Sequence, residues 1–148
     1  MKKAISLLCI FILSFVLVSC SKEKEVSAPE DIVNPINVSI SFSDSDKDAV
    51  EAEDFKAIAE TDFIVEEGTS VLDATQLYCV ANGLDITVNS SSGYISGMLG
   101  LNEGDLADTT GWIYTINGEA VTVSADKQIL KEGDKIAWEF VDFSTYAW

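Results

Sequence analysis

The dipeptide Asn117-Gly118, set between Trp112-Ile113-Tyr114-Thr115-Ile116 and Ala120-Val121-Thr122-Val123, constrains this chain more than any other feature. Both residues accept positive φ, which the two centres of a type I′ turn require, so the flanking β-rich runs fold back on each other as a tight hairpin. A second turn, Lys131-Glu132-Gly133-Asp134, precedes residues 135–141, where Ile136, Trp138 and Phe140 alternate with Ala137, Glu139 and Val141. Three strands near the C-terminus are therefore expected, and the fold must give them a sheet.

The rest of the chain supplies further strands and one helix. Residues 36–42 alternate, with Ile36, Val38, Ile40 and Phe42 on one face and Asn37, Ser39 and Ser41 on the other, the pattern of a half-buried strand. A second strand is expected around residues 62–66. Ser70, with Asp73 three residues on, caps a helix over residues 71–82, and Asn82-Gly83 stops it. Val71, Leu72, Thr75, Tyr78, Cys79 and Asn82 fall near one stripe of that helix. Strands follow over residues 84–88 and 94–99, then a flexible acidic loop over residues 100–111. The fold class is α+β, a β-grasp-like mixed sheet packed on one helix.

The start of the chain speaks of compartment. Lys2 and Lys3 precede an apolar run over residues 4–18, laid out like a secretory signal and short for a membrane span. It ends in Leu17-Val18-Ser19-Cys20, which resembles the lipobox of bacterial lipoproteins, whose cysteine is acylated and becomes the new N-terminus. The expected organisation is a lipoprotein signal peptide at 1–19, a lipid-anchored tether at 20–35, rich in charge and carrying both prolines, and a domain at 36–148. Acyl chains on Cys20 would add about 0.8 kcal/mol of membrane affinity per buried methylene. The expected location is the bacterial cell envelope, outside the cytoplasm and anchored to the membrane.

All 25 acidic residues and seven of the nine lysines lie beyond Cys20, so the mature chain carries 7 − 25 = −18. Such a field repels nucleic acid and favours cationic partners. With no histidine and no arginine, the commonest general base, a common metal ligand and the bidentate phosphate clamp are all missing. No motif positions a base, and the expectation is a protein that is not an enzyme. Asp44-Ser45-Asp46-Lys47-Asp48 has alternating carboxylates but lacks the glycine and the terminal glutamate of a calcium loop, so it reads as a solvated turn and no metal site is expected. Cys79, the one cysteine left after Cys9 and Cys20, reads as a buried thiol.

Four blocks carry a family resemblance: Gly68-Thr69-Ser70-Val71-Leu72-Asp73-Ala74, Gly93-Tyr94-Ile95, Gly111-Trp112-Ile113-Tyr114-Thr115-Ile116-Asn117-Gly118, and Leu130-Lys131-Glu132-Gly133-Asp134-Lys135-Ile136-Ala137-Trp138. In order and spacing they resemble the transcobalamin-like C-terminal domain, also called DUF4430. The resemblance implies a β-grasp module that binds a soluble ligand, with cobalamin or a related corrinoid as the candidate and no resident cofactor.

Two functions follow as expectations. The first is a lipid-anchored extracytoplasmic module for a small molecule, with Tyr94, Trp112, Tyr114 and Asn117 as candidate contacts. The second is a surface domain that binds protein or glycan through an aromatic sheet edge. Trp112 and Tyr114, same-face neighbours on a strand, suit core packing as well as ligand contact. The aromatic end, Phe143-Ser144-Thr145-Tyr146-Ala147-Trp148, suits either the cover of a sheet edge or an exposed anchor.

Overall fold

A computed structural model describes residues 32–44 and 55–145. The leader, Cys20, most of the tether, most of the acidic turn at 44–48 and the aromatic residues Tyr146 and Trp148 lie outside the described residues. The protein is α+β. Strands β1 (Pro35–Asp44), β2 (Ile58–Glu66), β6 (Thr110–Ile116), β7 (Glu119–Ala120) and β8 (Lys135–Asp142) form a mixed sheet in the order β2-β1-β8-β6-β7. Strands β3 (Ile86–Asn89), β4 (Tyr94–Met98) and β5 (Leu101–Asn102) form a small antiparallel sheet, and α1 (Val71–Asn82) lies between β2 and β3 in sequence.

β1 runs antiparallel to β2 and parallel to β8, and β8 runs antiparallel to β6. The first and last strands of the domain thus lie side by side at the centre of the large sheet. Their apolar positions share one face: Ile40 is beside Ile136, Phe42 beside Trp138, and all four are buried. β2 is longer than the sequence suggests because β1 offers a partner as far back as Phe42, which pairs with Ile58 across a register shift.

The helix forms where its local signals place it. Ser70 Oγ accepts from the Asp73 N–H at 3.1 Å and donates to the Asp73 carboxylate at 2.7 Å, while Gly83 takes the left-handed conformation at φ 66°. The first two orphan N–H groups are met from far along the chain: Val71 N donates to the Gln128 carbonyl at 2.9 Å and Leu72 N to Ala125 at 3.0 Å. With those donors spent, the helix N-terminus has no anion to hold.

Val71, Leu72, Ala74, Thr75, Tyr78 and Cys79 bury the inner face of α1, whereas Asn82 is exposed and donates to the Tyr78 carbonyl. Tyr78 sits 5.8 Å from the Phe42 ring and 5.4 Å from the Phe63 ring. Trp138 Nε1 donates to Thr75 Oγ1 at 2.9 Å, which ties helix to sheet in the middle of the core. Burial pushes the Cys79 thiol up to about 12, with Asp85 adding to the effect, so the group is a neutral core side chain, as the sequence suggests.

Three expectations need correction. Residues 100–111 are not simply a flexible loop: they contain β5, and Asp105 folds back to accept from the Asn102 backbone and side chain at 2.7 and 3.0 Å. The hairpin turn forms, with Asn117 at φ 55° and Gly118 at φ 80°, but its second arm stops at Ala120 instead of running to residue 123. Val141, on the opposite face from Ile136, is buried too; the Phe143 ring lies against Gly111, the residue paired with Val141.

Candidate functional site

The short second arm of the hairpin creates the site. In a two-residue hairpin the residues flanking the turn exchange backbone hydrogen bonds, so from Ile116 backwards every second residue, Tyr114 and then Trp112, turns its main-chain groups toward the β7 side. β7 pairs only with Thr115 and Ile116. Among the described residues no strand continues the ladder along Trp112 and Tyr114 on that side.

The chain leaves the sheet because other groups claim it. Tyr114 Oη donates to the Val123 carbonyl at 2.7 Å, and the carbonyls of Ala125 and Gln128 are drawn to the first turn of α1. Leu130 N, in turn, donates to Thr69 O at 2.9 Å. Satisfying the helix start costs the hairpin its outer strand.

A cleft of about 260 Å³ fills the gap between this edge of β6 and the start of β4. Residues 93–95 line one side, 112–115 the other, and Ala120, Val121, Ala125, Trp138 and Glu139 close it. Trp138 lies directly across the sheet from Tyr114, their rings 5.1 Å apart, and Trp112 packs 5.3 Å from Phe140. Both indoles are only 3% exposed, so they form the floor. Trp112 Nε1 is also taken, donating to Leu101 O at 3.0 Å. Tyr94 is the exposed wall, at 37%. Its hydroxyl approaches Gly111, where a β-carbon would stand 3.3 Å from it and 2.8 Å from the Phe143 ring, so the absence of a side chain there lets both aromatics close over β6.

Desolvation raises the pKa of both tyrosines, with Glu103 adding to the effect on Tyr94 and Asp126 on Tyr114. Raised phenol pKa values keep both hydroxyls protonated at neutral pH. The cleft walls are thus mainly apolar and aromatic, with Glu139 the one acidic residue among those that line it.

The structure brings together three of the four residues singled out in the sequence: Tyr94, Trp112 and Tyr114. Asn117 lies apart. Its side-chain nitrogen donates to Asp134 Oδ1 at 2.9 Å and its oxygen accepts from Lys135 N at 3.0 Å, so it fastens the hairpin turn to the next turn. Trp138, Glu139, Val121 and Ala125 escaped notice. Alternation marks Trp138 as an inward-facing residue of its strand, but its place opposite Tyr114 follows from the β6–β8 register, and the others depend on where the chain leaves the sheet.

A second depression, polar and of about 470 Å³, lies along Asn37, Ser39, Glu60, Asp62 and Lys135. Lys135 Nζ and Glu60 Oε1 meet there at 2.7 Å, and the hydrogen bond from Lys135 holds the Glu60 carboxyl below its ordinary value. Among the described residues no group of three or more acidic or thiol side chains could hold a metal ion, and no helix is long and apolar enough to cross a membrane.

Comparison with known proteins agrees with this architecture. Residues 68–142, from just before α1 to the end of β8, match the model of a domain of unknown function, DUF4430, and the chain belongs to that family. β1 and β2 precede the matched stretch yet belong to the same sheet. The structure is similar to that of haptocorrin in complex with Cbi, at a TM-score of 0.56 and 19% identity over 79% of this chain. The chain spans 27% of the haptocorrin chain. It is also similar to a "putative metal binding protein from Ruminococcus gnavus ATCC 29149", at a TM-score of 0.47 and 18% identity, over 72% of this chain and 97% of that one. No protein of curated function matches.

Proposed function

We propose that this protein is a lipid-anchored extracytoplasmic binding module, without catalytic activity, whose site for a soluble small molecule is the aromatic cleft between β4 and β6. The observation that carries the reading is a concave, aromatic-lined opening at the one stretch of β6 that its hairpin partner leaves uncovered. Ligand sites are typically concave and mostly apolar with a few polar groups, whereas a docking surface for protein or glycan would spread Tyr94, Trp112 and Tyr114 over a flat patch. The curvature supports the small molecule.

A corrinoid is the ligand class put forward by the likeness to haptocorrin, whose complex contains cobinamide. The cleft volume, about 260 Å³, sits below the range of about 300–1,000 Å³ usual for drug-sized ligands. A large macrocycle would therefore rest across the rim, with one small substituent reaching inside. Titrating the purified full-length chain with cobinamide should quench tryptophan fluorescence saturably, through Trp112 and Trp138. An absence of response at high micromolar ligand, after correction for absorbance, would remove corrinoids from consideration.

The anchor is tested separately. Cys20→Ala should release the protein into the soluble fraction or leave it unprocessed in the membrane. A processed variant that still sediments with membranes would contradict lipid attachment at this residue.

A further inference from the structure

We infer that the cleft binds an extended peptide residue, whose N–H and C=O pair with the C=O and N–H of Trp112 as one added rung of the large sheet. This rests on the cleft being the ligand site. Alternate residues of β6 turn their main-chain groups to opposite sides. Just beyond the strand ends, Asn117 N donates to Lys135 O at 2.9 Å and Phe143 N donates to Thr109 O at 2.8 Å, so the odd-numbered residues face β8. The even-numbered residues face away from it. At one end Thr110 N donates to Ala107 O at 2.9 Å and Thr110 O accepts from Gly104 N at 3.0 Å; at the other, Ile116 pairs with Glu119 of β7. Between these closed rungs, Trp112 has neither strand nor loop opposite its main chain among the described residues, and it reaches Leu101 O only through its indole.

Trp112 is 3% exposed and lines the cleft, so a donor and an acceptor face that space from a residue largely withdrawn from water. Main-chain groups left unpaired away from water are costly, and a ligand that meets both removes the cost. A carboxylate would leave the carbonyl without a donor, and an ammonium would leave the N–H without an acceptor. One residue of an extended chain supplies both, at the spacing of a sheet rung. Directly opposed residues share a face, which sets the side chain of the added residue beside the Trp112 indole, in a cleft that Ile95, Val121 and Ala125 also line; an apolar side chain suits it. The bonds of Thr110 and the pairing of β7 stop the ladder at both ends, and the cleft holds only about 260 Å³. The occupant is therefore a short peptide or a blocked amino acid, not a strand of another protein.

N-acetyl-leucine N-methylamide and its ester analogue, in which an oxygen replaces the leucine N–H, differ by the one donor that would reach Trp112 O. Each is titrated into the purified full-length chain in non-ionic detergent and followed by backbone-resolved NMR. The amide should bind at least about fivefold more tightly, the scale of one neutral hydrogen bond. Its saturation should also slow hydrogen exchange at the Trp112 main-chain N–H. Equal affinities, with shifts at residues 112–115 from both probes, would overturn the rung and leave the cleft as a ligand site. Tighter binding of the amide without slower exchange at Trp112 would overturn it too, by placing the bond elsewhere. No binding of either probe at tens of millimolar would overturn the inference as well, and the cobinamide titration then decides the cleft by itself.

Discussion

Trp138→Ala is expected to destabilise the domain by about 3–5 kcal/mol, the cost of truncating a large buried aromatic. Trp138 is 3% exposed at the centre of the sheet, touches the Tyr114 ring on β6 and donates its indole N–H to Thr75 on α1. One substitution would therefore open a cavity beneath the cleft and cut a link between helix and sheet. Against a total stability of about 5–15 kcal/mol for a domain of this kind, the variant should unfold at far lower denaturant. Trp138→Phe should cost less than Trp138→Ala, because it keeps a six-membered ring while losing the donor and the rest of the indole volume. Thr75 Oγ1 still donates to Val71 O at 2.7 Å in that variant, so the hydrogen-bond part should cost about 1 kcal/mol. Urea unfolding of both variants measures the difference; a Trp138→Ala midpoint close to that of the unmodified protein would show that the helix does not depend on this anchor.

The second large effect is expected at Asp134, a buried carboxylate that no lysine among the described residues pairs with. Its Oδ1 accepts from the Asn117 side chain at 2.9 Å, its Oδ2 from Lys131 N at 2.8 Å, and its backbone carbonyl from Ser39 N at 2.9 Å. Asp134 thereby ties the turns at 117–118 and 131–134 to each other and to β1, beside the bonds from Lys135 N to Asn117 Oδ1 and from Gly133 N to Asn37 O. Asp134→Ala keeps the backbone bond and leaves two donors without their charged acceptor, for an expected loss of about 2–3 kcal/mol. Asn117→Ala breaks a different pair of bonds, to Asp134 Oδ1 and from Lys135 N, and sets an alanine at φ 55°, so it should cost at least as much. Urea unfolding measures both, and an Asp134→Ala midpoint close to that of the unmodified protein would contradict the role given to this carboxylate.

These two residues also show what the sequence could and could not convey. The helix is legible to the residue, Val71–Asn82, because its limits are written locally in Ser70, Asp73 and Gly83. β1 and the turn at Asn117-Gly118 are legible for the same reason: alternation and positive φ are properties of neighbouring residues. The separate small sheet and the early end of β7 are not. They follow from distant pairings, above all the carbonyls of Ala125 and Gln128 meeting the first N–H groups of α1, about fifty residues back along the chain. Three of the candidate contacts converge because strand period places them on neighbouring edges, but the opening itself arises from the segment that was expected to cover it. Asn117 belongs to the same hairpin as Trp112 and Tyr114 in the sequence, but the geometry commits its side-chain amide to Asp134 and Lys135.

Family membership names the scaffold and leaves its ligand to be found on this particular cleft. The polar depression around Glu60 and Lys135 provides an internal control, since its principal charges are already engaged with each other. A backbone-resolved NMR titration with cobinamide therefore tests the central claim most directly. The account predicts saturable shifts concentrated at residues 93–95, 112–115 and 120–121. Shifts concentrated instead at Ser39, Glu60 and Asp62, or no saturable shifts at all, would contradict it.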